Sequence, residues 1–296
     1  MKEMHFVYSV SVAFLIILYS NFSYAKIYDD TLVVNKIKRS FRVYLPDTYQ
    51  KKFPTPLVIV LHGTGKSKEQ VEILTGMSLK AEKEKFIVLY PDAIGSPRSW
   101  DVVIDNENNN DIMFIKGLIK LIQRQYNIDS RRIYVTGHSN GAMMAYKIVI
   151  EVPDTVAAMA AVNGTIVNNG MQSSQSNDSK TSIFIINGRK DPIVLPGGKV
   201  QKDSTYWWPI DKTVNYWVQA KKCKTSESTV SQLYKNRVLS TTYFSCLGGS
   251  VVTYYDIMNG KHIWPGGRTL NGYVNNPIFD ATEIIWDFFQ KHPKPD

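Results

Sequence analysis

The sequence predicts an α/β fold built on a mostly parallel, doubly wound sheet with helices on both faces. Three observations carry this: short runs rich in Val, Ile and Leu alternate with amphipathic stretches of helical period, turn formers separate them, and 44% of the 296 residues are hydrophobic. In chain order, residues 31–36 and 40–45 read as short opening strands. Pro56–Leu61 is a continuous apolar run, the mark of a strand buried on both faces, and a helical pattern covers 68–85. Residues 86–90 form the next strand. Over 111–126, Ile112, Ile115, Ile119 and Ile122 make one apolar stripe, with Asp111 as the expected N-cap. A strand at 132–136, a helix at 140–151 and strands at 156–162 and 182–187 follow. The last three elements are a helix at 211–221 with Asp211 as its expected N-cap, a strand at 251–257 and a helix at 281–291. Two stretches interrupt the alternation and read as loops beside the active edge: Asn163 to Lys180, rich in Asn, Ser, Gln and Gly, and Leu195 to Pro209, which carries Gly197-Gly198 and Tyr206-Trp207-Trp208. No internal repeat is visible, and residues 26–296 are expected to form a single domain.

Gly137-His138-Ser139-Asn140-Gly141 lies between the 132–136 strand and the 140–151 helix. A strand-to-helix turn of this kind is so tight that its flanking positions must be nearly free of side chain, and it lifts the serine hydroxyl clear of the sheet. Ser139 is therefore the candidate nucleophile. A base is sought among five histidines. His5 lies in an apolar leader, His138 inside the turn and His292 in a Lys/Pro-rich tail, which leaves His62 and His262. His62 precedes Gly63 upstream of the serine, at the end of the Pro56–Leu61 strand. His262 lies in a loop rich in turn formers just after the 251–257 strand, in the chain order nucleophile, acid, histidine. It is the expected base; the alternative is a structural histidine packed against Trp264. The orienting carboxylate is expected between the two, and Asp191, directly after the 182–187 strand, is preferred over Asp203, Asp211 and Asp256; an ordinary Asp-Pro turn is the alternative. Backbone N–H groups of Asn140 and Thr64 are the expected oxyanion donors. His62, Trp207, Trp208 and Trp264 are candidate substrate contacts, although aromatic residues near a sheet edge often pack the base of a loop.

These residues, the stretch from about Asn110 to Met144 around Ser139, Leu61-His62-Gly63, Tyr90-Pro91-Asp92-Ala93 and Lys261-His262-Ile263-Trp264-Pro265-Gly266 together resemble the secreted polyhydroxybutyrate depolymerase and feruloyl esterase family. The resemblance implies an α/β-hydrolase fold and a serine esterase that needs no metal or organic cofactor. Its substrates would be carboxylic esters, polymeric ones included: hydroxyalkanoate polyesters or feruloylated and acetylated polysaccharides. A catalytically silent binding protein on the same fold and a serine peptidase are the alternatives. Two departures alter the pocket rim: Lys261 stands where the family has a third glycine before the late histidine, and Asn187-Gly188 replaces its usual His-Gly.

The formal charge is +9, but the basic residues are scattered without a basic run or recognition motif, so nucleic acid is not an expected partner. Phe6 to about Ser20 forms a short apolar stretch before Ser23-Tyr24-Ala25, where small residues at the first and third places suit signal-peptidase cleavage. Residues 1–25 are therefore read as a signal peptide, the mature protein as secreted to the periplasm or beyond, and no membrane span is expected to remain. Loss of one lysine and one glutamate with the leader leaves the charge at +9. In an oxidising compartment Cys223, ending the 211–221 helix, and Cys246, approaching the 251–257 strand, would form a bridge; two buried free thiols are the alternative. Two cysteines without accompanying histidines do not make a zinc site.

Overall fold

A computed structural model describes residues 26–104, 109–153, 155–168, 179–201, 205–233, 236–269, 271 and 279–295. The expected leader and Asp203 lie outside these residues. In chain order the elements are β1 (Lys26–Val34), β2 (Ile37–Leu45), β3 (Thr55–Leu61), α1 (Lys68–Thr75), α2 (Met77–Glu84), β4 (Ile87–Pro91), β5 (Val103–Ile104), α3 (Asn110–Gln125), β6 (Ile128–His138), α4 (Asn140–Glu151) and β7 (Ala158–Val162). There follow β8 (Val167–Asn168), β9 (Ser182–Gly188), β10 (Lys199–Val200), β11 (Tyr206–Trp207), α5 (Ile210–Ala220), β12 (Thr225–Leu233), β13 (Asn236–Phe244), β14 (Val252–Ile257) and α6 (Ala281–Lys291).

The main sheet runs β1-β2-β4-β3-β6-β7-β9-β14-β13-β12. The strands from β4 to β14 in that order are mutually parallel, and antiparallel strands extend the sheet at both sides. Successive side chains on a strand point to opposite faces, and the packing follows that rule. Leu57, Ile59 and Leu61 of β3, with Ile133 and Val135 of β6, join one core, which also takes in α3, α4 and α5 through Ile115, Ile148 and Trp217. Val58, Val60 and Tyr134 point the other way, into a second core with Val71, Met77, Ala81, Trp286 and Phe289 of α1, α2 and α6. Burial on both faces explains why these strands read as unbroken apolar runs. The expected α/β-hydrolase architecture is present.

Several local expectations are corrected. The helical pattern at 68–85 is two helices: Gly76 adopts φ 60°, closing α1 and opening α2, and the Arg268 guanidinium lies where a Cβ would project. The α3 N-cap is Asn109, whose side chain accepts from the N–H groups of Asp111 and Ile112; Asp111 lies in the first turn, in a buried ion pair with Arg39. Asp211 likewise lies inside α5, whose N-cap is Pro209. The 163–180 and 195–209 stretches contribute β8, β10 and β11 to a small second sheet, ordered β10-β11-β8-β5.

The hairpin β12–β13, where the sequence predicts no element, forms one edge of the main sheet. Its base is closed by the Cys223–Cys246 disulfide and by the Lys224 N–H donating to the Phe244 carbonyl at 3.1 Å. At the other end of the chain, the Lys294 N–H donates to the Arg131 carbonyl at 2.9 Å, near the start of β6. No described helix is long and apolar enough to cross a membrane.

Candidate active site

Every candidate catalytic residue follows a parallel strand at its carboxyl end, the edge where ligands bind in sheets of this kind. Ser139 stands between β6 and α4 with φ 58° and ψ −122°, a conformation that costs a non-glycine residue strain. The neighbouring structure enforces it. The Ser139 N–H donates to the Val162 carbonyl at 2.9 Å, and the Ser139 carbonyl accepts from Met143 at 3.0 Å. A Cβ on Gly137 would lie 2.5 Å from the Gly141 backbone, and one on Gly141 would lie 2.2 Å from the Leu61 carbonyl. Both glycines of the motif are thus required by close backbone approach.

The loop after β3 passes directly beside the serine, since a Cβ on Gly63 would fall 3.3 Å from the Ser139 Cβ. Thr64, the next residue, is exposed and lines the same cleft as Ser139 and Asn140. Asn140 opens α4, so its N–H has no partner within the helix. Its side chain has a role that sequence reading missed. Asn140 Oδ1 accepts from the Trp100 N–H at 2.7 Å and Nδ2 donates to the Trp100 carbonyl at 3.2 Å, fixing the 94–100 loop to the start of α4.

Asp191 is fully buried and committed. Oδ1 accepts from the N–H groups of Ile193 and Val194 at 2.8 and 2.9 Å, and Oδ2 is 2.7 Å from His262 Nδ1. That bond places the proton on Nδ1 and leaves Nε2 as the basic nitrogen. The competing aspartates are elsewhere: Asp256 is buried in an ion pair with Arg189, Nε to Oδ2 2.6 Å, and Asp211 is exposed on α5. His262, with 12% of its side-chain surface exposed, lines the cleft with Ser139.

His138, set aside in the sequence as part of the turn, has its ring centroid 4.8 Å from that of His262. Its Nε2 is buried without a hydrogen-bond partner. Desolvation first, then the neighbouring His262, hold its imidazole down to about 3, so it stays neutral beside the base.

Three candidate substrate contacts are corrected. His62 is fully buried: Nε2 accepts from the Ala93 N–H at 2.9 Å, Nδ1 faces the Gly63 carbonyl at 2.8 Å, and burial lowers its pKa. It ties the loops after β3 and β4 together beneath the site. Trp208 and Trp264 are each 1% exposed, with their indole N–H groups donating to Asn168 and Thr282. Trp207 alone of the three tryptophans contributes to the wall of the main cleft, of about 1220 Å³, together with Val103, Val167, Ile193 and Val200. A second cavity of about 500 Å³ shares His138 and His262 with this cleft and is lined by Val71 and Leu74 of α1 and by Ile263, the buried Trp264 and Arg268.

Residues 39–210 match the family described as esterase PHB depolymerase. Among curated proteins, the chain is 26% identical over 156 residues to a bifunctional acetylxylan esterase/xylanase of Neocallimastix patriciarum, covering 53% of this chain and 22% of that protein. It is 31% identical over 134 residues to an acetylxylan esterase of Coprinopsis cinerea (43% and 35% covered). With a feruloyl esterase B of Thermothelomyces thermophilus it shares 27% over 126 residues (41% and 43%). The match therefore spans less than half the length of each of these relatives. In fold, the chain resembles an acetyl xylan esterase from Aspergillus awamori with TM-score 0.61 at 15% identity, covering 88% of this chain and 99% of that one. With the family match extending over more than half of its residues, the chain belongs to the esterase PHB depolymerase family.

Proposed function

We propose that the protein is a secreted serine hydrolase that cleaves carboxylic esters through an acyl-enzyme. The observation that carries this reading is the buried Asp191–His262 bond of 2.7 Å opening onto the same cleft as Ser139 in its strained turn. Ser139 Oγ attacks the ester carbonyl as His262 Nε2 takes its proton. Asp191 holds the imidazole tautomer and stabilises the imidazolium, and the N–H groups of Asn140 and Thr64 receive the oxyanion. Collapse of the tetrahedral intermediate breaks the ester C–O bond, and the leaving alkoxide takes the proton back from His262. Water then attacks the acyl-enzyme by the same route, releasing the acid and restoring Ser139. No step calls for a cofactor.

The substrate is a polyester of the hydroxyalkanoate type or an acetylated or feruloylated polysaccharide. The acetylxylan and feruloyl esterase activities of the relatives and the cleft's breadth support these classes, since about 1220 Å³ exceeds what an acetyl group fills. Residues 26–296 act as one catalytic domain after cleavage behind Ala25. The test is a side-by-side assay of purified parent and Ser139→Ala on short nitrophenyl esters, methyl ferulate, hydroxybutyrate oligomers, acetylated xylan and a peptide amide. Turnover of at least one ester by the parent alone is expected. Cleavage of the peptide only would replace the reading by a peptidase, and no turnover with retained polymer binding would replace it by a binding protein.

A further inference from the structure

We propose that Asn163 is the positioning residue that sets the geometry of the Asp191–His262 pair, an inference that rests on the serine-hydrolase reading above. Asn163 is the first residue after β7, the strand lying between the one that delivers Ser139 and the one that delivers Asp191. The residue before it, Val162, accepts the Ser139 N–H, and Asn163's own N–H donates to Ile186 of β9 at 2.8 Å. Its backbone has φ 50°, a region that Asn and Gly enter at low cost and other residues do not.

Its side chain, 2% exposed, joins the two loops that carry the acid and the base. Oδ1 accepts from the Gly188 N–H at 3.1 Å, at the start of the Asp191 turn. Nδ2 donates to the carbonyls of Lys261 at 3.2 Å and Ile263 at 2.7 Å, the residues on either side of His262. A flipped amide would face its oxygen toward two carbonyls, so the network admits one orientation. These bonds hold the peptide entering His262 and the one leaving Ile263, so the backbone that carries the imidazole is pinned on both sides and with it the direction in which the ring leaves.

The loops meet closely enough for this clamp to matter. A Cβ on Gly188 would lie 2.4 Å from the Gly260 carbonyl, and the Lys190 N–H donates to that same carbonyl at 2.9 Å. Backbone lies on backbone there, and besides the Asp191–His262 pair itself and the Arg189–Asp256 ion pair, a buried side-chain bridge from Asn163 joins the two loops.

The test replaces Asn163 by Gly, which keeps φ 50° accessible and removes the clamp, and separately by Asp, which keeps the shape and loses the two donors. With a short nitrophenyl ester, each folded variant is expected to lose about 10²-fold in kcat, the cost of displacing a reacting group by about 1 Å, with KM within about threefold of the parent. The discriminating measurement is a double-mutant cycle. In a His262→Ala background the residual activity no longer depends on the ring, so adding Asn163→Gly is expected to cost less than about threefold there. Thr181→Ala removes a buried hydroxyl that donates to the Val156 carbonyl at 2.7 Å, at the opposite end of β9. It is expected to lower the melting temperature with turnover unchanged, separating loss of stability from loss of geometry. The proposal is overturned if a folded Asn163 variant keeps kcat within threefold of the parent, or if its penalty persists undiminished without His262. Should Ser139→Ala keep its turnover in the same assay, the hydrolase reading fails and takes this one with it; loss in Ser139→Ala with none in the Asn163 variants fails this inference alone.

Discussion

Ser139 is held in its strained turn by bonds to Val162 and Met143 that do not involve its hydroxyl, so the hydroxyl is removable without loosening the turn. Ser139→Ala is therefore expected to fold normally, lose on the order of 10⁴-fold or more in kcat, and escape labelling by an organophosphonate that marks the parent at this serine. Asp191→Asn is expected to cost about 10⁴-fold through loss of the Nδ1 tautomer, whereas Asp211→Asn should leave turnover near normal. Asp256→Asn should lower stability by breaking its pair with Arg189 more than it lowers turnover, and kinetics alongside thermal melts would reveal a reversed pattern. His138 supplies a pH prediction. The unfolded chain takes up a proton on this residue near its ordinary value of about 6.5, while in the folded protein it does so only at about 3. Between those limits the unfolded state binds more protons, so stability falls as the pH is lowered through the window and is regained above it. The slope contributed is up to about 1.4 kcal/mol per pH unit. In urea melts at pH 7, 5.5 and 4.5 the parent is expected to lose stability relative to His138→Gln as the pH falls; a difference between the two that stays constant over the three pH values would show that this residue contributes nothing. At this scale, Ser139, Asp191 and His262 could be picked out in the sequence because a motif, chain order and a small number of histidines constrain them. The roles of Asn163 and the Asn140 side chain, and the burial of His62, Trp208 and Trp264, could not. Each follows from partners tens of residues away, which no local pattern announces.

Among the elements, the strands that carry the site were legible because burial on both faces writes a continuous apolar run. The β12–β13 hairpin was not: Glu227-Ser228-Thr229 pair with Thr242, Thr241 and Ser240 at the sheet edge, where solvation removes the apolar alternation that marks a strand. A polar edge of this kind also resists pairing with a second chain. The hairpin depends on its base, where Cys223 and Cys246 close a loop with sequence separation 23. Thiol titration of native protein is expected to find no free thiol, and reduction to lower stability by roughly 3 kcal/mol on the chain-entropy estimate, read as a fall in the unfolding midpoint. Two thiols reacting in unreduced protein would refute the pairing. The break at Gly76 escaped the sequence reading because a single glycine within a helical pattern is usually tolerated; here its positive φ closes one helix and opens the next.

For the molecule as a whole, the charge of +9 is a property of the surface and not of any one run of residues. Binding to an anionic polysaccharide is accordingly expected to weaken steeply between low and physiological salt, while turnover of a small neutral ester stays nearly constant over the same range. A parallel response of both would place the charge effect in the catalytic step. The polarity of the sheet has a practical consequence. The segment around Lys294 is tied to Arg131 near the start of β6, and Ser139 follows the far end of that strand, roughly 25 Å away along its axis at about 3.3 Å per residue. A bead, electrode or carrier protein joined near Lys294, at that end of β6, would sit at the edge of the sheet opposite the cleft. Protein immobilised by that end is expected to degrade insoluble polymer films almost as fast as free protein, whereas coupling through lysines near the cleft, such as Lys66 and Lys199, should block film degradation.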